Sequence, residues 1–211
     1  MSSDEFRVLL QQEWPELSLE AQKRAELFFD LVRKENEVQN LTRLISPADF
    51  IFGHVLDVRE LLKSGLLSFP AMDLGSGCGV PGLLCALLAD GNWVLAESEG
   101  HKAEFLERAA EECGLTGRVS VFKGRAEDYL KSNTVNCIVA RAVGPVGRIF
   151  NWIKNCSTWN KLVLLKGPSW TSEWSEFLLS NDRKKLLIGN TYEYSVGPEK
   201  KSRVIVELNR K

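Results

Sequence analysis

The sequence predicts an α/β protein: a doubly wound, mostly parallel sheet that ends in an antiparallel hairpin and is preceded by helices. Three observations lead there. From about Phe69, short apolar runs alternate with amphipathic segments, the pattern of a parallel sheet covered on both faces. A glycine-rich turn, Asp73-Leu-Gly-Ser-Gly-Cys-Gly-Val-Pro-Gly82, joins the first apolar run to an apolar helix. The chain then closes on two extended segments separated by Val196-Gly-Pro-Glu199, with no helix between them to make a crossover.

The elements follow in order. Ala21, Ala25, Phe28, Leu31 and Val32 recur at helical spacing among charged residues, and Asn40 is the expected terminator. Ser46-Pro-Ala-Asp49 supplies an N-cap, a proline at the first helical position and an acid at N3. Ile51, Val55, Val58 and Leu62 then form an apolar stripe that Gly65 closes. These helices make residues 1–66 an N-terminal extension, and residues 67–211 the sheet domain. Strands are expected at 71–74, 93–97, 118–122, 135–140 and 161–166. A helix carrying Phe105, Leu106, Ala109, Ala110 and Cys113 stops at Gly114, a suitable C-cap. A further helix is expected at 174–179, and the closing pair at 185–195 and 203–208.

Composition narrows the function classes. At 211 residues one substantial core can form, and 44% hydrophobic with 26% charged residues is ordinary for a soluble protein. The apolar runs are too short for a membrane span and the first residues lack the character of a secretory signal, so a cytoplasmic, membrane-free protein is expected. The five cysteines are widely spaced without CxxC pairs and read as reduced core residues; no metal is expected. Cys78 lies in the glycine turn, as a reactive thiol or a small turn residue. A net charge of −1 excludes a uniformly basic nucleic-acid binder, so any RNA site must be a local patch.

The glycine turn is suited to a cofactor, because missing Cβ atoms and free N–H groups at a helix start let a ligand approach backbone. Its spacing fits two ligands. Gly77, Gly79 and Gly82 satisfy the dinucleotide pattern, while Asp73 ahead of Gly75-x-Gly77-x-Gly79 has the form used for S-adenosylmethionine (SAM). A dehydrogenase would spend its second half on more βαβ units. A hairpin finish is the class I SAM-dependent methyltransferase arrangement, which favours SAM. Glu97, at the end of the second strand, is placed to accept from ribose hydroxyls or is a solvated strand-end acid. Asp73 orients the turn or senses the cofactor's positive end. Ala126 and Glu127, after the third strand, offer N–H groups or a carboxylate to an adenine edge, or cap a helix. Arg141 ends the fourth strand, where it binds a cofactor carboxylate or acceptor oxygen, or pairs with an acid. Lys166 ends the fifth, and with Arg125, Arg141 and Arg203 would give a cationic mouth suited to a phosphodiester. Trp170 and Trp174 stack on bases or pack on the sheet; His54 and Asp57 share a helical face, with His54 read as structural.

Taken together, Asn40-Leu-Thr42, His54-Val-Leu-Asp57, the 73–82 turn, Gly124-Arg-Ala-Glu127, Arg141-Ala142 and Leu165-Lys-Gly-Pro168 resemble, in order, the motifs of the RsmG (GidB) 16S rRNA guanine-N7 methyltransferases of bacteria. The resemblance implies SAM contacts at Gly75, Val80, Glu97, Ala126, Glu127 and Arg141, beside the turn residues Asp73, Gly77 and Gly79. It implies substrate-positioning cations at Lys102, Arg125, Lys166 and Arg203, with 16S rRNA or the small ribosomal subunit as partner, the protein acting as a monomer. Three departures stand out: Glu97-Ser-Glu-Gly-His-Lys102 replaces a commonly more basic run, Val143 replaces a phenylalanine, and Gly53 stands where an arginine is common. Guanine N7 attacks through an in-plane lone pair, so no general base is expected. The alternatives are another RNA or small-molecule acceptor, or a non-catalytic RNA-binding module of the same fold.

Overall fold

A computed structural model describes residues 2–211. Helices α1 (Ser2–Glu13) and α2 (Leu19–Asn36) lead into α3 (Pro47–Phe50), a π-helical turn (Ile51–Val55) and α4 (Leu56–Lys63). The sheet then alternates strands and helices: β1 (Ala71–Leu74), α5 (Gly82–Leu88), β2 (Trp93–Glu97), α6 (Gly100–Glu112), β3 (Val119–Lys123), α7 (Ala126–Leu130), β4 (Val135–Arg141), α8 (Val146–Ile153), β5 (Trp159–Lys166) and α9 (Trp170–Leu178). A hairpin of β6 (Leu186–Val196) and β7 (Lys201–Arg210) ends the chain.

Strand order is β3-β2-β1-β4-β5-β7-β6, with β7 antiparallel to both neighbours and the other pairs parallel. The order reverses between β1 and β4, so a crevice opens at the carboxyl ends of those strands. Glu97, Arg141 and Lys166 are all last residues of their strands and stand along it.

Each face of the sheet has its own core. Phe6, Phe28, Phe29, Phe50, Val55 and Leu61 from α1–α4 bury against Leu83, Leu84 and Leu106 of α5 and α6, so the N-terminal helices pack over the helical layer on one face, with α4 also meeting β6. Leu130, Ile149, Phe150 and Phe177 cover the other, over Met72, Ile138 and Leu164. No helix among the described residues is long and apolar enough to cross a membrane.

Strand β5 starts two residues before the expected 161 and β7 extends two residues beyond the expected 203–208 at each end, and two helix boundaries differ for reasons the contacts show. Helix α2 ends at Asn36, not Asn40, because Asn36 Oδ1 accepts from the N–H groups of Leu41 and Thr42, both at 2.9 Å, and folds the chain back. Helix α9 starts at Trp170, a turn earlier than expected, directly after the Gly167-Pro-Ser169 bend, with Trp170 N–H donating to the Gly167 carbonyl at 3.1 Å. The aromatic knot under α3 dominates local packing: Phe6 stacks on Phe29 at 4.4 Å between centroids, and both meet the edge of Phe50, at 6.1 and 5.0 Å. Phe50→Ala would leave a cavity among three rings and is expected to cost about 3–5 kcal/mol, read as a lower urea midpoint with unchanged slope.

Candidate active site

The glycine turn is tight because α5 approaches β1 more closely than a side chain permits. A Cβ on Gly82 would lie 2.6 Å from Asp73 Cβ and 2.7 Å from Leu95 Cδ2. That proximity lets Asp73 Oδ2 accept from Gly82 N–H at 2.8 Å, pinning the helix start to the strand. Asp73 is sealed from solvent, its Oδ1 has no partner, and burial pushes its carboxyl up to about 7. Cys78 is also buried, and burial raises its thiol, so it is a small turn residue rather than a poised thiolate.

Gly77 has φ +55 and open space where a Cβ would be, apart from the Gly75 carbonyl at 3.9 Å. Its N–H donates to Glu97 Oε2 at 2.9 Å, and Glu99 N–H donates to Oε1 at 2.9 Å. Glu97 thus joins the turn to the end of β2 while keeping lone pairs on both oxygens. Ala126 and Glu127 head α7, where first-turn N–H groups have no acceptor within the helix. Val80 packs its side chain into the core, leaving only backbone to face a ligand.

Arg141 gathers the N-terminal helices onto this rim. Its Nη1 donates to the Gly53 carbonyl and to Asp57 Oδ2 at 2.8 Å, and its Nη2 meets His54 Nδ1. A guanidinium only donates, so Nδ1 is the acceptor and His54 Nε2–H points at Thr42 Oγ1, 3.2 Å away. Burial, then the adjacent guanidinium, pushes His54 well below the ordinary imidazole range, which keeps it neutral. Tyr194 donates to Asp57 Oδ1 at 2.8 Å and completes the network. Arg141 Nε stays buried without a partner.

Beside Arg141 a pocket of about 830 Å³ opens between the face of α3–α4 (Asp49, Gly53, Asp57), the strand ends (Arg141, Lys166), the β6–β7 turn (Gly197) and the start of β7 (Lys201, Arg203). Its charges are mixed. Lys166 is buried, donating to Glu173 Oε2 at 2.6 Å and to the Gly144 carbonyl at 2.7 Å, so it is no free phosphate ligand. Lys201 pairs with Glu199 at 3.1 Å on the surface. Arg203 forms no ion pair among the described residues and is the lining cation left for an anion.

The structure therefore brings Arg141, Lys166 and Arg203 to one pocket but not Lys102 or Arg125. Those two stand at the heads of α6 and α7, so the single cationic mouth expected from sequence is divided. Lys102 lies 4.0 Å from Glu99 and Arg125 is exposed. Gly75 and Gly77 of the turn, Glu97 at the end of β2, and Ala126 with Glu127 at the head of α7 stand at the neighbouring strand ends, whereas Gly79 is buried, its missing Cβ making room for Leu83, Phe28 and Leu106. Trp170, Trp174 and Phe177 stack along α9, centroids 5.7 and 5.2 Å apart. Sequence reasoning missed Asn36 and Tyr194. Tyr192 and Tyr194 alternate on a strand and so share a face, which was a usable signal for two hydroxyls meeting the same helix.

Two orphaned buried atoms, an acceptor at Asp73 Oδ1 and a donor at Arg141 Nε, fit the amino-acid end of SAM, which carries an ammonium and a carboxylate. The open backbone at Gly77 and the spare lone pairs of Glu97 fit a nucleoside beside them.

Residues 21–191 match the GidB family, described as rRNA small subunit methyltransferase G. The chain belongs to that family. Within GidB, the ribosomal RNA small subunit methyltransferase G of Solibacter usitatus is 33% identical over 183 residues, covering 85% of this chain and 86% of that protein. Its namesake from Rhodopirellula baltica is 34% identical over 181 residues, covering 83% and 76%. Among solved structures, the METTL16 MTase domain aligns with a TM-score of 0.57 at 13% identity over 96% of this chain and 91% of that one. M. capricolum TrmK in complex with S-adenosyl-homocysteine aligns at 0.51 and 13% identity over 69% and 70%. At such identities the likeness is one of fold, and the fold is the class I SAM-dependent methyltransferase sheet.

Two outcomes follow for this GidB chain. A carboxyl raised from 3.8 to about 7 binds its proton more tightly folded than unfolded, so Asp73 stabilises most below 3.8 and its contribution fades as pH rises to about 7. Asp73→Asn should therefore gain stability relative to the parent across that window and level off above it, in urea titrations at stepped pH. Asp57→Ala leaves the Arg141 guanidinium, 15% exposed, without its carboxylate and should cost about 3 kcal/mol, measured by the same unfolding assay.

Proposed function

We propose that the protein transfers the methyl group of SAM to N7 of a guanine in 16S rRNA of the small ribosomal subunit. The observation that carries the reading, beyond family membership, is the junction at Arg141. One side of this residue is the glycine-turn crevice suited to SAM, and the other is a pocket large enough for a nucleotide. Bound SAM supplies an electrophilic methyl on a sulfonium.

The residues divide the work. Gly75, Gly77, Gly79 and the Val80 backbone let the cofactor lie against the turn, Glu97 accepts from its ribose hydroxyls, and Ala126 with Glu127 holds its adenine edge. Asp73 and Arg141 receive its amino-acid end. The pocket orients the base so that its lone pair aligns with the methyl, and walls of Leu44, Phe52 and Leu165 exclude water. No general base is needed, because N7 carries no proton to remove. Arg203 meets the backbone phosphate, while Lys166, tied to Glu173, shapes the pocket floor. Lys102 and Arg125 lie on a separate rim where flanking RNA would pass. A base must leave a regular RNA helix to enter, since the deep major groove hides N7. The helices of residues 1–66 support that RNA beside the 67–211 domain, and the protein acts as a cytoplasmic monomer.

The test is transfer of isotopically labelled methyl from SAM to undermethylated small-subunit particles, followed by nucleoside mass spectrometry. Label in 7-methylguanosine is expected; SAM binding without label in RNA would overturn the assignment. In the same assay, Glu97→Ala should weaken SAM binding roughly tenfold or more, as expected for lost charged hydrogen bonds. Arg203→Ala should lower turnover on particles and leave SAM affinity unchanged.

A further inference from the structure

We propose that Asp49 reads the guanine, accepting hydrogen bonds from N1–H and the 2-amino group of a base seated in the pocket; this rests on the guanine-N7 reading above. The argument is one of elimination among the pocket's acids. Asp57 has both oxygens committed, to Arg141 and to Tyr194. Glu173 has both committed, to Lys166 and to Ser169. Glu199 pairs with Lys201 on the outer lip. Asp49 alone among these four makes no ion pair within the described residues: Oδ2 accepts from Ser46 Oγ at 2.7 Å, and Oδ1 has no hydrogen-bond partner.

Its position suits the chemistry. Asp49, Gly53 and Asp57 follow one another at four-residue intervals along the helix that walls the pocket, so Asp49 is two turns from the carboxylate that holds Arg141. N7 and the N1/N2 edge lie on opposite sides of a purine. A base with N7 toward Arg141 and the glycine turn therefore presents its two donors away from them, toward the start of α3. Oδ1 accepts one of these donors and the second lone pair of Oδ2, with no cation competing for it, accepts the other, whereas adenine, with an acceptor at N1, cannot satisfy both. Between the two acids Leu44 packs over Gly53, its Cδ1 2.5 Å from where a Cβ would stand, and with Phe52, packed near Gly197, it offers an apolar surface for the ring.

Asp49 also takes part in the N-cap of α3, since its N–H donates to Ser46 Oγ at 3.1 Å. The test must separate capping from base reading. Asp49→Asn keeps an acceptor for Ser46 but turns half of the base-facing pair into a donor. Asp49→Glu keeps the carboxylate, and Ser46→Ala removes the cap while sparing it. Methyl transfer to undermethylated small-subunit particles, SAM affinity by calorimetry and thermal midpoints would be measured for all three. The expected result is a fall in kcat/KM of roughly 10- to 100-fold for Asp49→Asn, with unchanged SAM affinity and midpoint, substantial rescue in Asp49→Glu, and a lesser loss in Ser46→Ala. Activity of Asp49→Asn close to that of the parent, or an equal loss in Ser46→Ala, would overturn the proposal. The nucleoside labelled by the parent protein reports separately on the acceptor: label outside 7-methylguanosine refutes the underlying reading, whereas label in 7-methylguanosine with an indifferent Asp49→Asn refutes only the role of Asp49.

Discussion

A guanidinium held almost out of solvent must find acceptors for its N–H groups, and the architecture around Arg141 is arranged by that demand. The acceptors come from a helix that precedes the sheet in sequence: a carbonyl at Gly53, a ring nitrogen at His54 and a carboxylate at Asp57. Each is itself held, by Thr42 behind the imidazole and Tyr194 behind the carboxylate. Asn36 in turn fixes the loop that carries Thr42. Residues from α2, the π turn, α4, β4 and β6 thereby meet at one charge, which sets the helical wall of the pocket at a fixed place above the strand ends.

The neighbouring crevice rests on a second, uncharged constraint. At Gly82 there is no room for even a methyl group, so α5 lies close on β1 and Asp73 can bridge them. The turn is then drawn toward β2 by Glu97. The two halves of the site therefore have different physics, close backbone packing on one side and a hydrogen-bonded charge cluster on the other.

Much of this was legible in the sequence because it depends on local rules. Apolar runs with intervening amphipathic segments gave all five parallel strands, with most ends within one residue, and the hairpin finish distinguished the SAM-type sheet from a dinucleotide fold. Ser46-Pro47 marked its helix start through cap chemistry that needs no tertiary information. What could not be read was pairing between distant residues. Asp57 and Tyr194 are 137 positions apart, and nothing in either neighbourhood specifies the other. Lys166 looked like a rim cation because a strand-end lysine is usually solvated; the acid that claims it lies on α9, whose start the sequence placed a turn too late. The split of the basic residues has a similar cause, since which strand ends share a wall depends on helices packed above them.

The closing hairpin reaches back across the molecule: Tyr194 to Asp57, and Tyr192 to Glu60 at 2.9 Å. Its turn and the start of β7 also supply one wall of the pocket, through Gly197, Lys201 and Arg203. During synthesis α1–α4 and the glycine turn precede this hairpin, so the pocket lacks that wall until β7 is made. A chain cut short before this hairpin would thus carry the glycine turn without a chamber for an acceptor, and competence would arrive only once the hairpin had folded back.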